Sequence, residues 1–185
     1  MEPGNKIEPP PEEEDPPATR KGTVDLTISY RKSYADDTGG SGGPFVINEA
    51  SVVGLCRFVL EKIGFPCCDL SVSLVGDEEI SILNEEYFGK DRPTDVISFP
   101  MEEKASDGAL LGDVVVCVPQ AVRVAGDNGL PVEEELSLYL IHGILHLAGD
   151  RDDTPESRER MDIRQETLLS MARDAGKLVS VSGCC

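Results

Sequence analysis

The stretch from residue 132 to 148 limits this chain more than any other. Leu140, Ile141, Ile144, Leu145 and Leu147 recur there at helical spacing, and the only two histidines of the sequence, His142 and His146, sit among them. A helix this apolar belongs in the interior of a fold. Positions i and i+4 of a helix project from one face about 5–6 Å apart, which suits two imidazoles sharing one metal ion. Gly149 then offers a helix stop, and Asp150, Asp152 and Asp153 supply carboxylates in a turn that can fold back. Two imidazoles, one carboxylate and an open position make the donor set with which catalytic zinc activates water.

An arbitrary pair of histidines at this spacing is more often polar surface or a hydrogen-bonded core pair. Here the apolar neighbours change the balance, because imidazoles entering such a stretch without partners are costly. Gly143 follows the first histidine, where the zinc-protease helix His-Glu-x-x-His carries its general base. A protease of that class is therefore disfavoured.

At 185 residues the chain is long enough for one domain with a real core and short for two. No apolar run approaches the roughly 20 residues that span a bilayer, so no membrane association is expected. Residues 1–22 hold six of the thirteen prolines and the acidic run at 12–15, without a basic segment followed by an apolar one. They read as a solvated leader rather than a secretory signal, and a cytoplasmic protein is expected. Of the six cysteines, Cys67-Cys68 and Cys184-Cys185 are adjacent pairs, while Cys56 and Cys117 fall in apolar runs. None forms a Cys-x-x-Cys pair, so a thiolate zinc site is not supported. The terminal Cys-Cys reads as a dispensable tail rather than a prenylation signal. The formal net charge is −18, which repels polyanions at long range. Any nucleic-acid partner would need a local basic patch.

Period-two alternation predicts strands over 23–30, with Val24, Leu26 and Ile28 inward, and over 69–75, with Leu70, Val72 and Leu74 inward. The nearly unbroken apolar run 111–118 reads as a central strand, and 96–99 as a short one. Asn48 is expected to cap a helix with Val52, Leu55, Cys56, Val59, Leu60 and Ile63 on its apolar stripe, closed by Gly64. Asp77 is expected to cap a second helix, closed by Gly89. A short helix starts at Pro119 and runs toward Ala125, until Asp127-Asn128-Gly129 breaks it. Thr154-Pro155 opens the last helix, which runs to about Ala172. Loops are expected at 36–44, 90–95 and 102–108, and the final residues should fray. This order predicts an α/β (α+β) fold: a single compact domain with one mixed sheet of about four strands covered by helices. The metal site would stand at the end of a central helix. The expected division is a leader at 1–22, a folded domain at 23–173 and a tail at 174–185.

Two blocks together add a resemblance. Leu83-Asn84-Glu-Glu-Tyr87-Phe88-Gly89-Lys90-Asp91-Arg92-Pro93-Thr94-Asp95-Val96-Ile-Ser98-Phe99-Pro100 is followed by Leu111-Gly112-Asp113-Val114. Then comes His142-Gly143-Ile-Leu145-His146-Leu147-Ala-Gly149-Asp150-Arg151-Asp152. In this order and spacing the chain strongly resembles the YbeY family of metal-dependent endoribonucleases, over roughly residues 24–169. The resemblance implies a compact α/β fold, acting as a hydrolase, with one Zn2+ held in the pattern His-Gly-x-Leu-His-Leu-x-Gly-Tyr-Asp-His. His142 and His146 match the first two ligands, and the third falls on Asp152, an accepted zinc ligand in its own right. Asp150 and Arg151 replace the usual Tyr-Asp, and Phe88 replaces the arginine of the family's Tyr-Arg-Gly.

The resemblance implies a single-strand-specific endoribonuclease acting in ribosomal RNA maturation, with single-stranded rRNA and the small ribosomal subunit as partners. A metal-bound water would attack, with no side-chain base assigned, and Lys90 and Arg92 would contact phosphate oxygens. Without the resemblance those two bases read as an ordinary solvated loop. Thr94, Ser98 and Asp113 are expected to serve structure, through turn and strand-end hydrogen bonds. The alternative from another class is a ribosome-assembly binding factor of the same fold that has lost cleavage. A metal hydrolase of another small substrate is a third reading.

Overall fold

The structure is a computed structural model that describes residues 26–32, 46–65, 68–101 and 111–182. The leader at 1–22, residues 23–25 of the first expected strand, the loops expected at 36–44 and 102–108, and Cys184-Cys185 lie outside the described residues. Strands β1 (Leu26–Lys32), β3 (Cys68–Val75), β4 (Val96–Pro100) and β5 (Leu111–Cys117) form one mixed sheet in the order β1-β3-β5-β4. The first three run parallel, and β4 closes the edge antiparallel to β5. A second, two-stranded ribbon joins β2 (Val46–Ile47) to β6 (Val181–Ser182). The helices are α1 (Glu49–Ile63), α2 (Asp77–Phe88), α3 (Val118–Asn128), α4 (Val132–Leu147) and α5 (Pro155–Asp174).

Alternation along the inner strands sorts their side chains between two cores. Val114 and Val116 of β5 join Leu70, Val72 and Leu74 of β3 in the larger core, with α1, α4 and α5. Val115 and Cys117 point the other way and meet Val75, Ile97 and Ile80 of α2. A strand covered on both faces has no polar side, which is why β5 runs apolar from Val114 to Cys117.

Helix α4 is the central one, packed against β4 and β5 and flanked by α1, α3 and α5. Leu140, Ile141, Ile144 and Leu145 are all essentially fully buried. Two glycines set how closely it lies on the sheet. A Cβ on Gly143 would stand 2.7 Å from Val114 Cγ1 and 3.0 Å from Val96 Cγ2, and one on Gly112 would stand 2.6 Å from Leu147 Cδ2. Gly143 thus has a packing reason that excludes a glutamate there. Ser98 Oγ, one strand away, donates to the Gly143 carbonyl at 2.9 Å and ties β4 to the helix.

Three local expectations differ from the structure. Asp77 is not the cap of α2 but its first residue, after Gly76; its carboxylate is taken by a bidentate Arg123 at 2.7 and 2.8 Å, so the cap position passes to its neighbour. Helix α3 continues to Asn128, because Gly129 at φ +66° closes it in the left-handed region rather than the Asp-Asn pair breaking it earlier. The segment expected to fray from 174 is tied down through 182. Val179 enters the main core, its N–H donates to Ser137 Oγ at 2.9 Å, and Asn48 N–H donates to the Ser180 carbonyl at 2.8 Å.

Candidate metal centre

The last turn of α4 and the loop after it build the site. Gly149 adopts φ +97°, a conformation that side chains resist. Its N–H donates to the His146 carbonyl at 3.0 Å, and Asp150 N–H donates to the Leu145 carbonyl at 3.0 Å. This paired helix stop folds the chain back over the helix end. The Asp150 carbonyl then lies 3.1 Å from His146 Nδ1. A carbonyl only accepts, so that Nδ1 carries the proton and Nε2 is left with its lone pair.

His142 is fixed from another helix. Its Nδ1 lies 2.8 Å from Gln165 Oε1 on α5, and Gln165 Nε2 donates to Asp162 Oδ1 at 3.1 Å, which settles the amide orientation. The Nε2 of His142 is therefore also an acceptor. The two Nε2 atoms face each other at 3.0 Å, with the rings edge to face. Two lone pairs that close repel unless a cation sits beside them. Nitrogens on one tetrahedral zinc stand about 3.3 Å apart, given bonds of about 2.0–2.1 Å, so the observed spacing suits a shared metal ion.

The structure brings Asp152 to the same point: one donor atom each from His142, His146 and Asp152 lies within 4.8 Å of the others, all three half-buried. The other two acids are engaged elsewhere. Asp150 pairs with Arg164, and Asp153 accepts from Ser157 Oγ at 3.3 Å, beside the capping box that Thr154 and Ser157 form at the start of α5. Arg158 Nη2 holds the Asp152 carbonyl at 3.0 Å. Two imidazole nitrogens and one carboxylate form a donor set that could hold a metal ion, of the kind catalytic zinc uses.

A cavity of ≈ 730 Å³ adjoins two of the three groups: His146 and Asp152 line it together with Arg151, Phe88, Lys90, Thr94 and Ser98. Gly89, at φ +67°, ends α2 just before Lys90. Buried Asn84 pins the loop by donating from Nδ2 to the Arg92 carbonyl at 2.8 Å. Arg92 itself is exposed and is not among the residues lining the cavity. Thr94 Oγ1 donates to Asp95 Oδ1 at 2.8 Å, and Asp113 sits in the β5 ladder opposite Ser71 and Phe99.

A second cavity of ≈ 450 Å³ opens beside His142 and Gln165, lined by Glu135, Tyr139 and Asp95. Glu135, Tyr139 and His142 lie on one face of α4. Burial pushes the Glu135 carboxyl above the usual carboxylate range; the Tyr139 hydroxyl opposes this, and the negative Asp95 adds to it. On the opposite face of the sheet, burial pushes the Cys117 thiol up to about 12, so it packs as an inert group against Asp77.

Sequence reasoning missed Gln165 and Asn84. Gln165 lies 23 residues from His142 on a different helix, and no local pattern links them. Asn84 had a visible signal: it is a polar residue on the buried stripe of α2, one turn after Ile80.

A family model described as endoribonuclease YbeY matches residues 48–173. Curated proteins of the same description include one from Cutibacterium acnes, 37% identical over 144 residues, covering 73% of this chain and 92% of its own length. Another from Halalkalibacterium halodurans is 40% identical over 120 residues, 60% of this chain and 76% of the relative. One from Moorella thermoacetica is 42% identical over 111 residues, 55% and 71% respectively. A solution structure of a Thermotoga maritima protein aligns with 80% of this chain and 94% of its own, at 27% identity and a TM-score of 0.48.

Proposed function

The chain belongs to the endoribonuclease YbeY family, and from that premise we propose that it hydrolyses single-stranded RNA at a zinc centre held by His142, His146 and Asp152. One observation carries the reading. Both Nδ1 atoms are committed as donors to Gln165 and to the Asp150 carbonyl, which leaves two Nε2 acceptors 3.0 Å apart with no protein proton between them. When bound there, a divalent ion supplies a Lewis acid that polarises a phosphate and acidifies water.

The chain's own residues do the rest. Gln165 and the Asp150 carbonyl hold the rings in one tautomer and orientation. Lys90, in the cavity lining, attracts a phosphate oxygen, and Arg92, exposed and outside that lining, adds only long-range attraction. No side chain is assigned as the base. The substrate is ribosomal RNA in maturation, met on the small ribosomal subunit in the cytoplasm, and the working unit is the stretch 23–173. Among the described residues no helix is long and apolar enough to cross a membrane.

The test is metal content and cleavage measured together. Wild type should retain about one zinc per chain and cut a single-stranded rRNA fragment, with a chelator abolishing the cut. His146→Ala should lose both the ion and the activity. Stoichiometric zinc in that variant would refute the site. Asp152→Ala should lose the ion, and Asp152→His should keep it.

A second reading, an assembly factor that binds small-subunit RNA without cutting it, draws on two substitutions and the charge. Asp152 and Phe88 stand where the family pattern has histidine and arginine, and the net charge is −18. Zinc-loaded protein that binds the fragment and leaves it intact would favour that reading.

A further inference from the structure

Phe88 is the last residue of α2, 54% exposed, and belongs to neither hydrophobic core. A single exposed aromatic means little by itself. This one lines the same cavity as His146, Asp152 and Lys90. Its neighbour Tyr87 is also exposed but packs edge-on against Phe99, with centroids 4.7 Å apart. Phe88 has no such partner among the ring contacts of the described residues.

We propose that Phe88 is a stacking platform for one unpaired nucleobase of the RNA, that of a nucleotide beside the phosphate held at the metal centre; this rests on the endoribonuclease reading above. A flat π-surface in a wet cavity wall takes the face of any base, whatever its hydrogen-bonding edge. Lys90 follows two residues later, across the left-handed Gly89, so the same turn offers a ring for a base and an ammonium for its phosphate. An arginine at position 88 would mainly add a phosphate contact. Phenylalanine gives up that charge and gains a surface that only an unstacked base can use. Duplex RNA, whose bases are already stacked and paired, cannot make this contact, so Phe88 biases the cavity toward single strands.

The experiment uses the zinc-loaded full chain and a short, end-labelled, single-stranded 2′-O-methyl RNA read by fluorescence anisotropy. Phe88→Ala should weaken binding by about 5- to 150-fold, the worth of one stacked base. An abasic nucleotide walked along the oligomer should cost wild type a similar factor at one position, and cost the Phe88→Ala protein little there. The chain contains no tryptophan, so Phe88→Trp installs a sole indole that should retain affinity and be quenched as RNA saturates it. Phe88→Arg should bind with a steeper salt dependence, by about 0.7 in the log–log slope for one added phosphate contact to a single strand, and lose the abasic penalty. RNA binding unchanged in Phe88→Ala, together with an indole indifferent to RNA, would overturn the stacking role while leaving the endoribonuclease reading intact. A wild type that binds no RNA would overturn both.

Discussion

Among single residues, Gln165 has the most to reveal. It touches no cation itself, yet its Oε1 fixes the proton on His142 Nδ1. Removing the partner of a metal-bound imidazole typically weakens metal affinity about 10–100-fold. Gln165→Ala should do so in a competition assay against a chromogenic chelator, and Gln165→Glu, which keeps the acceptor, should recover most of the loss. Equal affinity in all three proteins would mean that the ring is held by packing alone. Gly143 is the second case. A methyl group there meets Val114 and Val96 in a filled core, so Gly143→Ala should lower unfolding free energy by about 1–3 kcal/mol in urea. At this scale the histidines were legible from their spacing, whereas spacing alone left Asp150, Asp152 and Asp153 open and only the family pattern pointed to Asp152. Arg164 and Ser157 on α5 occupy two of the three acids, and a reader of the chain cannot see which helix face returns to meet them.

At the scale of elements, periodicity foretold nearly every helix and strand, because burial on one face or both leaves a pattern in the chain. Pairing left none. That β5 lies between β3 and β4, with β4 reversed, is a non-local fact of the sheet. The β2–β6 ribbon is two residues a side, too short to carry alternation. The helix stop at the end of α4 joins element to site. Gly149→Ala strains a residue at φ +97° and should cost about 1–2 kcal/mol. It should also move the Asp150 carbonyl away from His146, so zinc retention should fall. Gly129→Ala, at φ +66° behind α3, carries similar strain far from the ligands and serves as the control. Zinc loss of equal size in both variants would show general destabilisation rather than a built ligand support.

The whole molecule carries 35 acids against 17 bases, so self-repulsion grows as pH rises above the acid range. Two carboxyls add opposite slopes. Glu135 is held above its ordinary value by burial, so the folded state binds that proton more tightly than the unfolded chain does. Its contribution is fully present below the unfolded value near 4.5 and is lost as pH rises through the raised folded value. Asp77 is held below its ordinary value by the Arg123 hydrogen bonds, with burial opposing and Cys117 assisting. Its contribution is present above about 3.8 and is lost as pH falls through the depressed value. The pair is exposed on both sides, so this acid limb should be small. Stability should therefore peak on the acid side of neutrality. In urea midpoints followed from about pH 2 to 8, a range that enters the Asp77 window, wild type should lose stability toward the alkaline end. Glu135→Gln should flatten that limb and leave the acid limb unchanged, while Arg123→Ala should do the reverse. If Glu135→Gln tracks the wild-type slope at every pH, the buried carboxyl is not the source, and the decline belongs to diffuse surface repulsion that added salt would erase.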